Sequence, residues 1–153
     1  MSIEESPLPP GGFVGIDPGR SSGAIAYVYD HSAWAWPVSK MTDRDIWLVV
    51  RGLKDLEPHS GVLEKVHAFP QQGVSSTFKF GTSFGELKMA LIAAGIRFTQ
   101  ITPAQWQKEL SCRTGGDKNI TKTKAQELFP EVKITHAVAD AVLIAEYARR
   151  MSL

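Results

Sequence analysis

Phe13-Val-Gly-Ile-Asp17-Pro18-Gly19 is followed, three residues on, by Gly23-Ala-Ile-Ala-Tyr-Val-Tyr29. The first segment is a short apolar run closed by an Asp-Pro-Gly turn signal. The second is a run of β-branched, aromatic and small apolar residues. Together they read as strand, turn, strand. Asp30-His31-Ser32 forms a hairpin loop. Ala33-Trp-Ala-Trp-Pro37 reads as a third strand whose proline sets its end at a sheet edge. The rest of the chain alternates. Thr42 caps a helix whose first turn holds Asp43 and Asp45, with Ile46, Val49, Val50 and Leu53 at helical spacing. Gly61-Val-Leu-Glu-Lys-Val66 is a strand, and Val74 to Ala94 is helical despite Gly81 and Gly85. Arg97-Phe-Thr-Gln-Ile101 is a strand. Thr102-Pro103 opens a helix to about Leu110. Asn119 or Thr121 caps a short helix that Pro130 ends. Thr135 caps the last, from His136 to about Arg150. The order βββ-α-β-α-β-α-α-α implies an α/β fold, a mixed sheet covered by helices with the first strand central. Residues 1–12, with Pro7, Pro9, Pro10, Gly11 and Gly12, read as a flexible arm; residues 13–153 form one domain.

Composition narrows the function. The 153 residues include 43% hydrophobic and 22% charged residues, a globular balance. A single cysteine, Cys112, rules out an intrachain disulfide and a four-cysteine zinc site. No apolar run is long enough to span a bilayer, and Met1-Ser-Ile-Glu-Glu-Ser6 lacks an apolar targeting core, so a cytoplasmic location is expected. The formal net charge is +1. It is unevenly spread: residues 65–124 hold nine basic against three acidic residues, net +6, which leaves −5 for the remainder. A basic middle with acidic flanks suits a polyanion partner, although a solvated basic face gives the same count.

Three acids interrupt apolar surroundings. Asp17 ends the first strand, Glu64 lies at or near the end of another, and Asp140 sits in the apolar part of the last helix. Taken singly, each is an ordinary turn, edge or cap residue. Taken together, they suggest a shared site, because buried carboxylates are costly unless paired or metal-bound. Strand ends are where sites gather in open α/β sheets. Hard divalent ions prefer oxygen ligands, and two of them about 4 Å apart can activate a water and stabilise a leaving oxygen in phosphodiester hydrolysis. His136 lies one turn before Asp140 on the same helix face. It reads either as a metal ligand or water-orienting base, or as an exposed first-turn histidine.

These segments resemble the RuvC-type Holliday junction resolvases, most closely the small resolvase-like proteins of bacteriophages. The resemblance is carried by Gly15-Ile-Asp-Pro-Gly19 with Gly23-Ala-Ile-Ala26, by Val62-Leu-Glu-Lys-Val66, and by His136-Ala-Val-Ala-Asp-Ala-Val-Leu-Ile-Ala145, and it covers about residues 13–150. It implies a ribonuclease H-like fold with a five-stranded mixed sheet. It also implies a homodimeric endodeoxyribonuclease cutting four-way junctions with two Mg²⁺ or Mn²⁺ ions, without a nucleotide cofactor or a membrane, in a bacterial host cell if phage-encoded. Asp17, Glu64 and Asp140 match the family's metal-binding carboxylates. His136 falls where many relatives carry a fourth acid and others a histidine, a departure from the four-carboxylate pattern that leaves its role as ligand or base open.

The stretch from Pro103 through Trp106 and Lys108 to Lys118, Ala125 and Phe129-Pro130 also resembles the phage members. There lysines approach the scissile phosphate or the junction backbone. Arg113, Lys118, Lys122 and Lys124, around Gly115-Gly116, are the candidate DNA contacts. Phe69, five residues after Glu64, is the candidate aromatic that stacks on junction bases; His67 competes for that role, and Phe69 could instead be core. Gly81 and Gly85 form a face without side chains, open to a dimer partner or to a kink. The four tryptophans read as core and sheet-face residues. Three readings of function stay open: the junction resolvase, a broader branched-DNA or RNA–DNA hybrid nuclease of the same fold, and a non-catalytic junction-binding module. An actin-like kinase would need two such domains, and the chain is too short for them.

Overall fold

The computed structural model describes residues 7–153. Its elements follow the expected order: β1 (Phe13–Asp17), β2 (Ala24–Tyr29), β3 (Ser32–Pro37), α1 (Asp43–Asp55), β4 (Ser60–Glu64), α2 (Val74–Ala94), β5 (Phe98–Ile101), α3 (Pro103–Glu109), α4 (Lys118–Leu128) and α5 (His136–Met151). The sheet runs β3-β2-β1-β4-β5. β1 is central, antiparallel to β2 and parallel to β4; β5 continues parallel beyond β4. β3 is the outer strand on its side, where Pro37 costs no ladder bond between inner strands.

Side-chain parity along the strands sorts the molecule into layers. Val14, Ile16, Ile25 and Leu63 face α1 and α2, packing with Ile46, Val50, Leu53, Leu87 and Leu91. Ala24, Ala26, Val28 and Val62 face the other way, against α5 and the helices behind it, with Trp106, Ala125 and Phe129. Gly15 and Asp17 alternate with Val14 and Ile16, so they lie on the α5 face. By the same parity, Glu64 lies on that face two residues after Val62. β1 and β4 are in register with Gly15 beside Val62 and Ile16 beside Leu63. One step further brings Asp17 beside Glu64, both at the carboxyl ends of parallel strands.

Local signals set the ends of most elements. Thr42 and Thr102 each close a capping box, with Asp45 and Gln105 respectively, and Pro103 opens α3. Two expectations are corrected. α4 is capped by Asp117, whose carboxylate accepts from the Asn119 amide at 2.9 Å, and not by Asn119 or Thr121. β4 stops at Glu64 instead of running on to Val66. α2 continues unbroken through Gly81 and Gly85. Residues 1–6 of the expected arm lie outside the described residues. The stretch that follows is tied down: the Tyr27 hydroxyl donates to the Pro9 carbonyl and accepts from the Gly12 amide, each at 2.7 Å. The Gly11 amide donates to the Leu56 carbonyl. Among the described residues, no helix is long and apolar enough to cross a membrane.

The contact between β1 and α5 admits no side chain. A Cβ at Gly15 would run into the Ala141 carbonyl oxygen and the Ala145 amide nitrogen, both backbone atoms that cannot rotate away. G15A should therefore destabilise the protein by about 3 kcal/mol or more. G52A, at a helical position with open space around it, should be neutral or stabilising by about 0.5–1 kcal/mol. Urea unfolding followed by circular dichroism measures both.

Candidate active site

Asp17 and Asp140 share a cleft of about 300 Å³ beyond the strand ends, with Pro18, Ser21, Ser22, Phe80, Lys118, Thr121, His136 and Ala137. Each contributor comes from a different element. β1 supplies Asp17, and its following loop supplies Pro18 and the two serines. The first two turns of α5 supply His136, Ala137 and Asp140. The first turn of α4 supplies Lys118 and Thr121, and α2 supplies Phe80. Glu64 lies beside this cleft at the end of β4, only 8% exposed. The Trp106 indole N–H donates to its Oε2 at 2.7 Å, which fixes one carboxylate oxygen.

Three carboxyl groups in one desolvated region cannot all be comfortable as anions. Burial pushes Asp17 well above its ordinary range, and the nearby charges of Glu64 and Asp140 push it further, against the pull of Lys118. Burial likewise raises Glu64 to about 7, with Trp106 opposing and Asp140 adding to the rise. Burial raises Asp140, against the Thr121 hydroxyl, Lys118 and His136. Among the described residues, no group of three His, Cys, Asp or Glu side chains stands ready as an ion cage. The donor set nonetheless fits a hard divalent cation: oxygen ligands, little solvent, and mutual repulsion that a cation relieves.

The structure therefore brings Asp17, Asp140, His136 and Lys118 into one cleft, with Glu64 adjoining. His136, the first residue of α5, is exposed at its mouth. The other candidates lie outside. Arg113 is exposed on the loop before α4. Lys122 lines a shallow groove with Asn119, Thr123, Gln126 and Glu127, and Lys124 borders Cys112 and Ile120. Phe69 is 64% exposed in the loop after β4 and stacks at a tilt on His67, ring centroids 5.3 Å apart. Two site residues escaped the sequence reading. Trp106 is fully buried core, as expected of a tryptophan, yet it also holds Glu64. Thr121 is buried against the site instead of capping its helix. Neither role has a local signal, since both depend on α3 and α4 folding back onto the sheet.

No protein-family model and no curated protein matches the sequence. Solved structures do. A Thermus thermophilus RuvC structure superposes with a TM-score of 0.67 at 19% identity, over 92% of this chain and 96% of that one. T. thermophilus RuvC in complex with a Holliday junction substrate superposes with a TM-score of 0.68 at 20% identity, over the same shares. The chain has the RuvC fold. It is the ribonuclease H-like arrangement that the sequence resemblance implies.

The raised carboxyls give the metal-free protein a defined pH dependence. Glu64 holds its proton to about pH 7 when folded but only to about 4.5 when unfolded. The folded state thus binds more protons between these values, and stability falls as pH rises through that window. Thermal unfolding in chelator should show a lower Tm at pH 8 than at pH 6. E64Q, which keeps an acceptor for Trp106, should flatten the trend. Mg²⁺ should restore more stability to the wild type at pH 8 than at pH 6.

Proposed function

We propose that the protein is a divalent-metal-dependent endodeoxyribonuclease that resolves four-way DNA junctions. The observation that carries this reading is the meeting of Asp17, Glu64 and Asp140 at the carboxyl ends of two adjacent parallel strands and on the helix that crosses them. The RuvC fold around them, one instance of which is in complex with a Holliday junction substrate, supports the same reading. Asp17, Glu64 and Asp140 would hold two Mg²⁺ or Mn²⁺ ions, with His136 at the edge as a further ligand or a base. Such ions supply activation of the attacking water and stabilisation of the leaving oxygen.

The protein's own groups do the rest. Trp106 holds one oxygen of Glu64, leaving the other free to turn toward the cleft. Lys118 stands at the first position of α4, directly after the Asp117 cap, and lines the cleft beside Asp17 and Asp140. An approaching phosphate would gain from the lysine's charge. Arg113, Lys122 and Lys124 extend the basic surface away from the cleft for backbone contacts, and Phe69 offers an exposed ring for a base to stack on. An acidic pocket beside a basic surface accounts for the near-neutral net charge.

A homodimer belongs to the same reading. Along α2, Val74, Phe78, Gly81, Gly85, Met89 and Ile92 recur at steps of three or four residues on one exposed stripe. Val74 is 89% and Phe78 75% exposed, and nothing lies within 4 Å of where a Cβ at Gly81 or Gly85 would stand. A second copy of the helix can pack closely over the glycines and cover the four apolar side chains. F78D should give a monomer in sedimentation velocity while the wild type sediments as a dimer.

The decisive assay uses a synthetic immobile junction with Mg²⁺ or Mn²⁺. Wild type should cut it, leaving 5′-phosphates. D17N should lose cleavage by at least about 10³-fold while retaining junction affinity. A wild-type preference for RNA–DNA hybrids over junctions would replace the resolvase assignment with the broader nuclease. Failure to cut any branched DNA would favour a junction-binding module. Junction affinity should fall steeply with salt, on the order of tenfold or more between 50 and 200 mM, because the contacts are to phosphates.

A further inference from the structure

The loop that follows Asp17 is held by contacts that the cleft itself does not use. Residues 18–23 turn from β1 back into β2, and Pro18, Ser21 and Ser22 line the cleft on the way. The turn is tight. The Gly23 amide donates to the Gly19 carbonyl at 2.8 Å, and a Cβ at Gly23 would strike the Asp17 and Gly19 carbonyl oxygens. The Gly19 amide reaches across to Ser83 Oγ on α2 at 3.2 Å. Arg20 leaves the loop on the side away from Asp140. Its Nη2 donates to Asp43 Oδ1 in the first turn of α1 at 2.9 Å, and its Nη1 lies 3.7 Å from Glu86 Oε2 on α2. Among the described residues, Arg20 Nη1 and Glu86 Oε2 are both shielded from solvent and make no hydrogen bond.

We propose that Arg20 is a positioning residue for Asp17, its guanidinium clamping the 18–23 loop to α1 and α2 so that Asp17 stands correctly toward Glu64 and Asp140. The proposal rests on reading the cleft as a metal-dependent nuclease centre. The planar fork of arginine can address two carboxylates on two helices at once, whereas the point charge of lysine serves one. Arg20 and Asp43 are partly to largely solvent-exposed, and exposed ion pairs add little to global stability. The clamp therefore acts on loop position, and its removal should leave the fold intact. A displaced carboxylate is expensive in rate because reacting groups must be held to within a fraction of an ångström.

Four proteins test this: wild type, R20M, R20K and the D43N/E86Q double variant, which keeps Arg20 but removes its partners. Three readouts are taken: hydrogen exchange at the Gly19 and Gly23 amides, the Mg²⁺ concentration giving half the maximal thermal shift, and single-turnover junction cleavage beside junction affinity measured in Ca²⁺. R20M and D43N/E86Q should both exchange faster at the two amides and need more Mg²⁺. Both should cleave about tenfold slower with affinity within about twofold of wild type. R20K should fall between them and wild type. Wild-type exchange and Mg²⁺ response in R20M would overturn the proposal. So would a loss in R20M that D43N/E86Q does not share, since Arg20 would then act through the DNA. If wild type cuts no branched DNA, the nuclease reading fails, and amide exchange with the Mg²⁺ half-point still decides the clamp.

Discussion

A helix lies backbone to backbone on the central strand, and Gly15 is the reason it can. The carbonyl of Ala141 and the amide of Ala145 occupy the space where any other residue would carry its Cβ. The small residues of α5, Ala141, Ala145 and Ala148, keep the helix equally slim along its contact with the sheet. Because Gly15 and Asp17 share a strand face, and because Asp140 directly precedes Ala141, the same contact sets the separation of the two aspartates. Packing and chemistry are thus one constraint. A bulkier contact would lift α5 off β1 and carry Asp140 away from Asp17, even with both carboxylates intact.

The cost of that closeness is electrostatic. Desolvation is the largest influence on Asp17, Glu64 and Asp140 alike, and repulsion from neighbouring carboxylates adds to it at Asp17 and Glu64. Lys118 and Trp106 offset only part of the burden. Lys118 is exposed and its charge is diluted by solvent, and Trp106 satisfies one oxygen of one carboxylate. A site left in this state is held ready for positive charge. Strained electrostatics in a cleft, maintained by the rest of the fold, are a mark of function more than of stability.

Much of this was legible in the sequence, for identifiable reasons. Strand and helix types followed from hydrophobic period and from end signals such as Thr42, Thr102-Pro103 and Pro37, which act over a few residues. The three acids stood out because each breaks an apolar context. The failures share another cause. The α4 cap went to Asp117, two residues before Asn119 and four before Thr121, and local spacing does not separate the three. The hydrogen bond from Trp106 to Glu64 spans 42 residues. The Arg20 contacts join a loop to helices 23 and 66 residues further on. Such pairings are products of topology, and no window of sequence holds both partners. Phe69 likewise reads as core or surface with equal ease until the loop that carries it is seen to stand away from the sheet.

α5 also carries a control for the functional reading. Glu146 lies six residues after Asp140 and is more deeply buried, 2% exposed. Burial alone would raise its carboxyl, but hydrogen bonds and charge from Arg149 and Arg150 outweigh this and leave it below its usual value. Both arginines reach it at 2.8 Å from the next turn of the same helix. Glu146 therefore arrives with its countercharge, and its surroundings are complete. Asp140 lies on the same helix, yet no arginine or lysine forms an ion pair with it among the described residues. The fold evidently can neutralise a buried acid on this helix where the acid serves structure. That it does so at Glu146 and not at Asp140 locates the unmet demand for positive charge at the end of α5 that faces Asp17.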